Sequence, residues 1–106
     1  MNGTIKKTLQ NIGLSEKEAQ LYIFLGKKGP LKGGTISKQL KLNKGQVYRT
    51  IKSLQKKGLI EATLEYPTRF SAVPFERVID SFIKSKREEV NQIEETKKDL
   101  LCELSP

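Results

Sequence analysis

Apolar residues recur along this chain at two periods, and the change of period divides it. Ile5, Leu9 and Ile12 fall at i, i+4 and i+7, which predicts a short opening helix ended by Gly13. Ser15, Glu16, Lys17 and Glu18 then make an S-x-x-E capping box. In it the Ser15 hydroxyl accepts from the Glu18 amide while the Glu18 side chain reaches back to the cap. Leu14 is placed to staple onto Ala19, and Ala19, Leu21, Tyr22, Phe24 and Leu25 form a buried face. Lys27, Lys28, Gly29 and Pro30 stop this helix with cations, a glycine and a proline in the order that helix ends favour. Leu31 to Gly34 reads as a loop. Thr35 is placed to cap a short helix with Ile36 and Leu40 as its core face, Lys41 to Asn43 makes a tight turn, and Asn43 caps the next helix. That helix, Lys44 to Lys57, buries Val47, Ile51 and Leu54 and ends at Gly58.

The period then falls to two. Ile60, Ala62 and Leu64 alternate with Glu61, Thr63 and Glu65, and Phe70 and Ala72 alternate with Arg69 and Ser71. With Tyr66, Pro67 and Thr68 as the turn, this predicts a small β-hairpin. Pro74, a natural first-turn residue, opens a final helix that runs to about Leu104, roughly 45 Å. The expected fold is mainly α with a small β-hairpin, an α+β arrangement. A winged helix-turn-helix head over residues 1–74 precedes a long C-terminal coiled-coil helix over residues 75–106, whose role is dimerisation. In such a head the first helix of the pair crosses the DNA backbone, the second enters the major groove and the hairpin flanks it.

Charge sharpens this. Between Glu18 and Glu61 the chain carries ten Lys or Arg residues and no acid. Apolar residues thread that run at helical spacing, so the field belongs to a folded surface and attracts a polyanion. The net charge of +8 is unevenly divided: residues 1–73 hold 14 cations and 4 acids, residues 74–106 hold 6 cations and 8 acids. The first part is the expected binding head. At roughly 70 residues it buries only about 60% of its unfolded surface, and a partner packed along the tail would reinforce it.

Other classes fall away. The chain has no His and one Cys, Cys102, which leaves no zinc site within one chain, no disulfide framework and no His general base. There is no Gly-rich phosphate loop or nucleophile elbow, so no enzymatic activity and no cofactor are expected. No apolar run is long enough to span a membrane, and the opening MNGTIKKTLQ lacks the apolar core of a secretory signal. A cytoplasmic, nucleoid-associated location is expected.

With Val47, Ile51 and Leu54 inward, Lys44, Gln46, Arg49, Thr50 and Ser53 are expected to face out from the helix Lys44 to Lys57. Arg and Lys donate to guanine, Gln pairs with adenine, and Thr meets the thymine methyl. Gly45 offers close approach to the DNA backbone. Lys52, Lys56 and Lys57 lie farther along and suit phosphate, which positions a protein without reading sequence. Tyr48 is either packing or a phosphate-bonding hydroxyl. Lys38 and, on the wing, Arg69 complete the candidate set, although Glu61 and Glu65 on the hairpin would repel phosphate.

Ile12 to Ala19 (IGLSEKEA) with Leu21 and Tyr22 resembles the opening of the TrmB-like transcription regulators, found mostly in archaea. Gly29-Pro30, Ile36, Val47-Tyr48, LQKKGLI from Leu54 and Ala72-Val73-Pro74 fall in step, so the resemblance covers about residues 5–80. It implies a winged-helix DNA-binding domain followed by a helical dimerisation segment. Three departures stand out. Asn43 replaces a frequent Pro. The wing reads Tyr66-Pro67-Thr68-Arg69 instead of a Gly/Arg-rich turn, which weakens the case for minor-groove reading. Many members also continue into a sugar-binding domain where this chain ends at Pro106, so no small-molecule effector is implied.

In the tail, Ile79, Ile83, Lys86, Val90, Ile93, Lys97, Leu100 and Leu104 step by four and three, a heptad seam interrupted twice by Lys. Double-stranded DNA and a second copy of the chain, held through Ile79, Ile83, Val90, Ile93, Leu100 and Leu104, are the expected partners. A helix folding back on its own head is the alternative for the tail, and its pairing direction stays open. For the whole chain the alternatives are a chromatin-like architectural protein of low sequence specificity and a winged helix used for protein contact.

Overall fold

The structure is a computed structural model that describes residues 2–105. Met1 and Pro106, the outer limits of the two expected domains, lie outside the described residues. The elements are α1 (Asn2–Asn11), α2 (Glu16–Lys28), α3 (Gly33–Leu40), α4 (Lys44–Lys56), β1 (Ile60–Ala62), β2 (Phe70–Ala72) and α5 (Phe75–Leu104). They form two compact units, one ending at Phe75 and one beginning at Glu76. The first is a winged helix-turn-helix and the second a single long helix.

Each helix of the head starts and stops for a local reason. Ser15 and Glu18 form both bonds of the capping box, with the Ser15 amide 2.9 Å from Glu18 Oε1 and the Glu18 amide 3.2 Å from Ser15 Oγ. Asn43 caps α4, its side chain accepting from the Gln46 amide at 2.8 Å. Lys41 closes α3 in the left-handed conformation, and the Ser37 hydroxyl donates to the Leu42 carbonyl. Gly58, at φ 83°, turns the chain out of α4 toward the wing, a conformation that costs glycine little.

The core of the head gathers one face of each of α1 to α4. Leu9, Leu21, Leu25, Ile36, Val47, Ile51 and Leu54 are the largest fully buried side chains. Tyr22 belongs to this core too, and its hydroxyl donates to the Val73 carbonyl at 2.5 Å, tying α2 to the strand leaving the wing. Burial raises the pKa of that phenol. Phe24 and Leu40, expected inside, are half-buried, whereas Leu59 and Val73 are core residues that the periodicity did not mark.

The wing differs from its sequence pattern in three respects. β1 and β2 pair antiparallel with Ile60 opposite Ala72 and Ala62 opposite Phe70, and each strand is only three residues long. Leu64, which the alternation put in a strand, is fully exposed in the loop. Leu31, read as loop, is bridged to Phe70 through two backbone bonds of 3.0 and 2.8 Å, so it adds a third short edge to the hairpin. The helix boundaries bring two smaller corrections. α3 begins at Gly33 after Lys32, so Thr35 lies inside the first turn and does not cap it. Pro74 precedes α5 instead of occupying its first turn.

Glu18 does more than close the capping box. It is buried, and besides the Ser15 amide its carboxylate takes the Ser53 hydroxyl at 2.7 Å and the Lys57 ammonium at 3.0 Å from both oxygens. Burial opposes its ionisation, but the Ser15 amide, the Ser53 hydroxyl and Lys57 outweigh that effect and hold its pKa at about 2. A carboxyl depressed from 4.5 to about 2 contributes stability that is complete above pH 4.5 and lost as pH falls toward about 2. Thermal unfolding followed across that window is therefore expected to show an acid-side loss that Glu18→Gln largely removes, the variant being weaker at neutral pH. Parallel profiles for the two proteins would show that Glu18 is not the group responsible.

Candidate nucleic-acid interface

The seating of α4 sorts its side chains into four rows. Val47, Ile51 and Leu54 are 0–1% exposed and point inward. At 100° per residue, Gly45, Arg49, Lys52 and Lys56 stand on the opposite ridge, and all four are exposed. Lys44, Tyr48 and Gln55 form one flank, also exposed. The other flank is Gln46, Thr50 and Ser53, and all three are half-buried.

That second flank is already engaged within the protein. The Thr50 hydroxyl donates to the Gln46 carbonyl at 2.8 Å, and the Ser53 hydroxyl donates to Glu18. Ser53 was expected to face out and is instead part of the α2–α4 contact. Lys57, read as a phosphate ligand, spends its ammonium on Glu18 and, at 3.2 Å, on the Gly13 carbonyl. The physical reason is the same for both: a buried carboxylate on α2 requires donors, and the C-terminal end of α4 supplies them.

Tyr48 sits where α4, α3 and the wing meet. A Cβ built on Gly33 would lie 2.5 Å from Tyr48 Cζ and Oη, so the phenol lies directly on the α3 backbone and needs glycine there. Its ring meets Phe70 edge-on, centroids 6.3 Å apart at 78°. Lys44 lies over Gly34, its Cε about 4.0 Å from where a Cβ would be. A groove of about 1000 Å³ runs between α3, the first turns of α4 and the wing, with Lys32, Lys38 and Lys44 among its lining residues and Tyr66, Pro67 and Thr68 on the wing side. The α3 N-terminus opens there with no side-chain cap. Lys38 and Arg69 are exposed, as expected of ligands to an external partner.

Sequence reasoning missed part of this surface. Gln55 lies three residues beyond Lys52 and seven beyond Tyr48, a spacing that could have found it. Lys32, Gly33 and Gly34 were hidden because two glycines at a helix start look like a loop. Tyr66, fully exposed on the wing, was read as a turn residue only.

On α5 the seam residues are solvent-facing over most of its length: Ile83 is 42% exposed, Val90 51%, Ile93 68%, Leu100 49% and Leu104 79%. Ile79 is half-buried. Lys86, on the same seam, reaches Glu89 at 3.2 Å and stands 5.4 Å over the Phe82 ring. No helix among the described residues is long and apolar enough to cross a membrane.

A three-helix head with a Leu31-bridged hairpin and a cation-bearing fourth helix defines a winged helix-turn-helix protein. Residues 9–76 match the family described as sugar-specific transcriptional regulator TrmB, and the chain belongs to that family. It is 29% identical over 94 residues to the HTH-type sugar sensing transcriptional regulator TrmBL1 of Pyrococcus furiosus, covering 89% of this chain and 27% of that protein. Its structure is similar to that of TrmBL2, an archaeal chromatin protein with a novel mode of DNA binding. The TM-score is 0.85 at 25% identity, over 97% of this chain and 40% of that one. MepR, a transcription regulator of the Staphylococcus aureus multidrug efflux pump MepA, shares the fold with a TM-score of 0.56 at 17% identity, covering 98% of this chain and 87% of that one. The chain thus spans about a quarter of the length of TrmBL1 and two fifths of TrmBL2.

The contact between Gly33 and Tyr48 gives a test of the site's geometry. Gly33→Ala is expected to cost about 1 kcal/mol by displacing the phenol, and to become neutral or stabilising once Tyr48→Ala has removed it. Denaturant unfolding of the four proteins in this cycle measures the coupling. Additive single effects would mean the ring does not rest on Gly33.

Proposed function

We propose that this chain is a DNA-binding transcription regulator that sets α4 in the major groove of double-stranded DNA and acts as a homodimer through α5. The observation that carries this reading is the exposed ridge Gly45, Arg49, Lys52 and Lys56 on a head with no acid between Glu18 and Glu61. Membership of the TrmB family supports it. Arg49 reads bases, since it is exposed on the ridge, has no acidic neighbour in sequence, and holds its guanidinium beside Gly45, about 4.0 Å from a Cβ position there. Gln55 is a second base reader, and Gln46 and Thr50 contact DNA only at the margin. Lys52, Lys56, Lys38 and Lys44 hold phosphates, with the open amides of the α3 N-terminus and the Tyr48 hydroxyl beside them. Arg69 adds a wing contact. The head extends over residues 1–74 and the dimerisation helix over residues 75–106. No cofactor or small-molecule effector enters this reading, and the site of action is the cytoplasmic nucleoid.

A second reading has its own support. With Ser53 and Lys57 engaged by Glu18, the exposed ridge offers two Lys and one Arg, and the whole chain has 16 Lys against 4 Arg. A lysine is a point charge that marks phosphate and reads bases poorly. Together with the likeness to TrmBL2, this suits an architectural protein that coats or bridges DNA with little sequence preference.

Arg49→Ala separates the two. Under site-specific binding the variant loses about 1–3 kcal/mol on a selected site and little on random duplex, while Lys52→Ala weakens both alike. Affinities at matched salt measure this. An unchanged ratio of selected to random binding rules out Arg49 as a base reader and favours the architectural role.

The dimer has a separate test. Ile93 is 68% exposed on the seam, so Ile93→Asp leaves the head intact and is expected to sediment as a monomer at micromolar concentration where wild type sediments as a dimer. DNA affinity then falls because each head loses its tethered neighbour. Wild type that sediments as a monomer removes the dimer from the account.

A further inference from the structure

The direction in which two α5 helices run follows from the order of side chains along the seam. Read inward from its two ends, the seam repeats itself in kind: Ile79 answers Leu104, Ile83 answers Leu100, Lys86 answers Lys97, and Val90 answers Ile93. Each of these pairs joins one residue from each of the two alternating seam positions, which is how the layers of an antiparallel pair are composed.

We infer that α5 packs against a second copy of itself antiparallel, with Ile83 against the partner's Leu100 and Val90 against the partner's Ile93. This rests on the dimer reading and adds its geometry. A two-fold parallel pair has to align every residue with its own copy. It would then set Lys86 on the partner's Lys86 and Lys97 on the partner's Lys97. Its edges would bring Glu89 against the partner's Glu94 twice over, with no opposite charges paired there to compensate. In the antiparallel register the same edges bring Arg87 against the partner's Glu94, again twice, and Glu89 against the partner's uncharged Thr96. Lys86 faces the partner's Lys97 in this arrangement. Its ammonium, however, is already turned along its own helix to Glu89 at 3.2 Å and to the Phe82 ring at 5.4 Å, on one edge of the seam. Both directions keep lysine near lysine, so the edge charges decide, and they favour antiparallel.

The direction matters for DNA. At 1.5 Å per residue this register holds the two Phe75 positions, where each helix joins its head, about 50 Å apart along the helix axis. A parallel pair would hold them side by side.

Cross-linking with cysteines introduced on the seam tests the register. Ile83→Cys and Leu100→Cys are made as separate full-length chains, each also carrying Cys102→Ser, since Cys102 is exposed. Under mild oxidation an equal mixture of the two is expected to give a disulfide-linked dimer containing one of each. Either alone gives none, because like residues lie about 25 Å apart and a disulfide needs its Cα atoms within about 7 Å. Cross-linking of each variant with itself shows a parallel pair, which overturns the direction and leaves the dimer standing. Failure of the mixture to link while sedimentation still shows dimers places the interface elsewhere and also overturns the direction. Monomers throughout overturn the dimer and the direction together.

Discussion

The surface that faces outward from this head is fixed by the burial of one row on α4. Val47, Ile51 and Leu54 are essentially inaccessible, and a helix can turn only one side to a core. Once those three are seated, the rotation of α4 is decided and Arg49, Lys52 and Lys56 have nowhere to go but out. Deleting one such buried side chain costs about 2–5 kcal/mol, a large part of what a head of this size has in reserve. Two polar or aromatic contacts refine the seating. Glu18 holds the C-terminal end of α4 through Ser53 and Lys57, and the Tyr48 phenol lies on Gly33 near its beginning.

These contacts change what the charge pattern means. Ten cations without an acid between Glu18 and Glu61 suggest a uniformly free positive face, yet the head is not uniform. The ammonium of Lys57 is taken up by Glu18, the acid that borders the run. Gln46, Thr50 and Ser53 are half-buried, Ser53 being bonded to Glu18 of α2, which leaves the exposed ridge with Arg49, Lys52 and Lys56 as its polar groups. In the proposed interface, affinity from charge and specificity from base contacts therefore fall to different residues. That division is why site-specific regulation and chromatin-like coating both remain compatible with one fold. The long helix carries a different balance, six cations and eight acids from residue 74 on.

Much of this was legible in the sequence because it is local. The Ser15–Glu18 box, the Asn43 cap, the Val47–Ile51–Leu54 row and the change of period at Ile60 each depend on residues within one or two turns of each other. What was missed is what the chain assembles from far apart. The Ser53 and Lys57 bonds to Glu18 join residues 35 and 39 positions apart, and no helical period announces them. The Leu31 bridge to Phe70 likewise gives a strand of one residue, too short to show alternation. Leu64 misled in the opposite sense: its alternation with Glu65 continues past the last paired residue, and a pattern is not a ladder without a partner strand. Gly33 and Gly34 begin a helix despite poor propensity because Ile36 packs in the core and Tyr48 requires the open backbone.

The claim that most depends on all of this is that the exposed cations of the head meet DNA phosphates. The dependence of duplex affinity on salt tests it directly, because each neutralised phosphate releases counterions and steepens the plot of log K against log salt. With ~6–8 phosphates held by a dimer, the expected slope is about −5 to −7. A slope shallower than about −2 would mean that Lys38, Lys44, Lys52 and Lys56 do not bear on DNA, and the proposed interface would have to be abandoned.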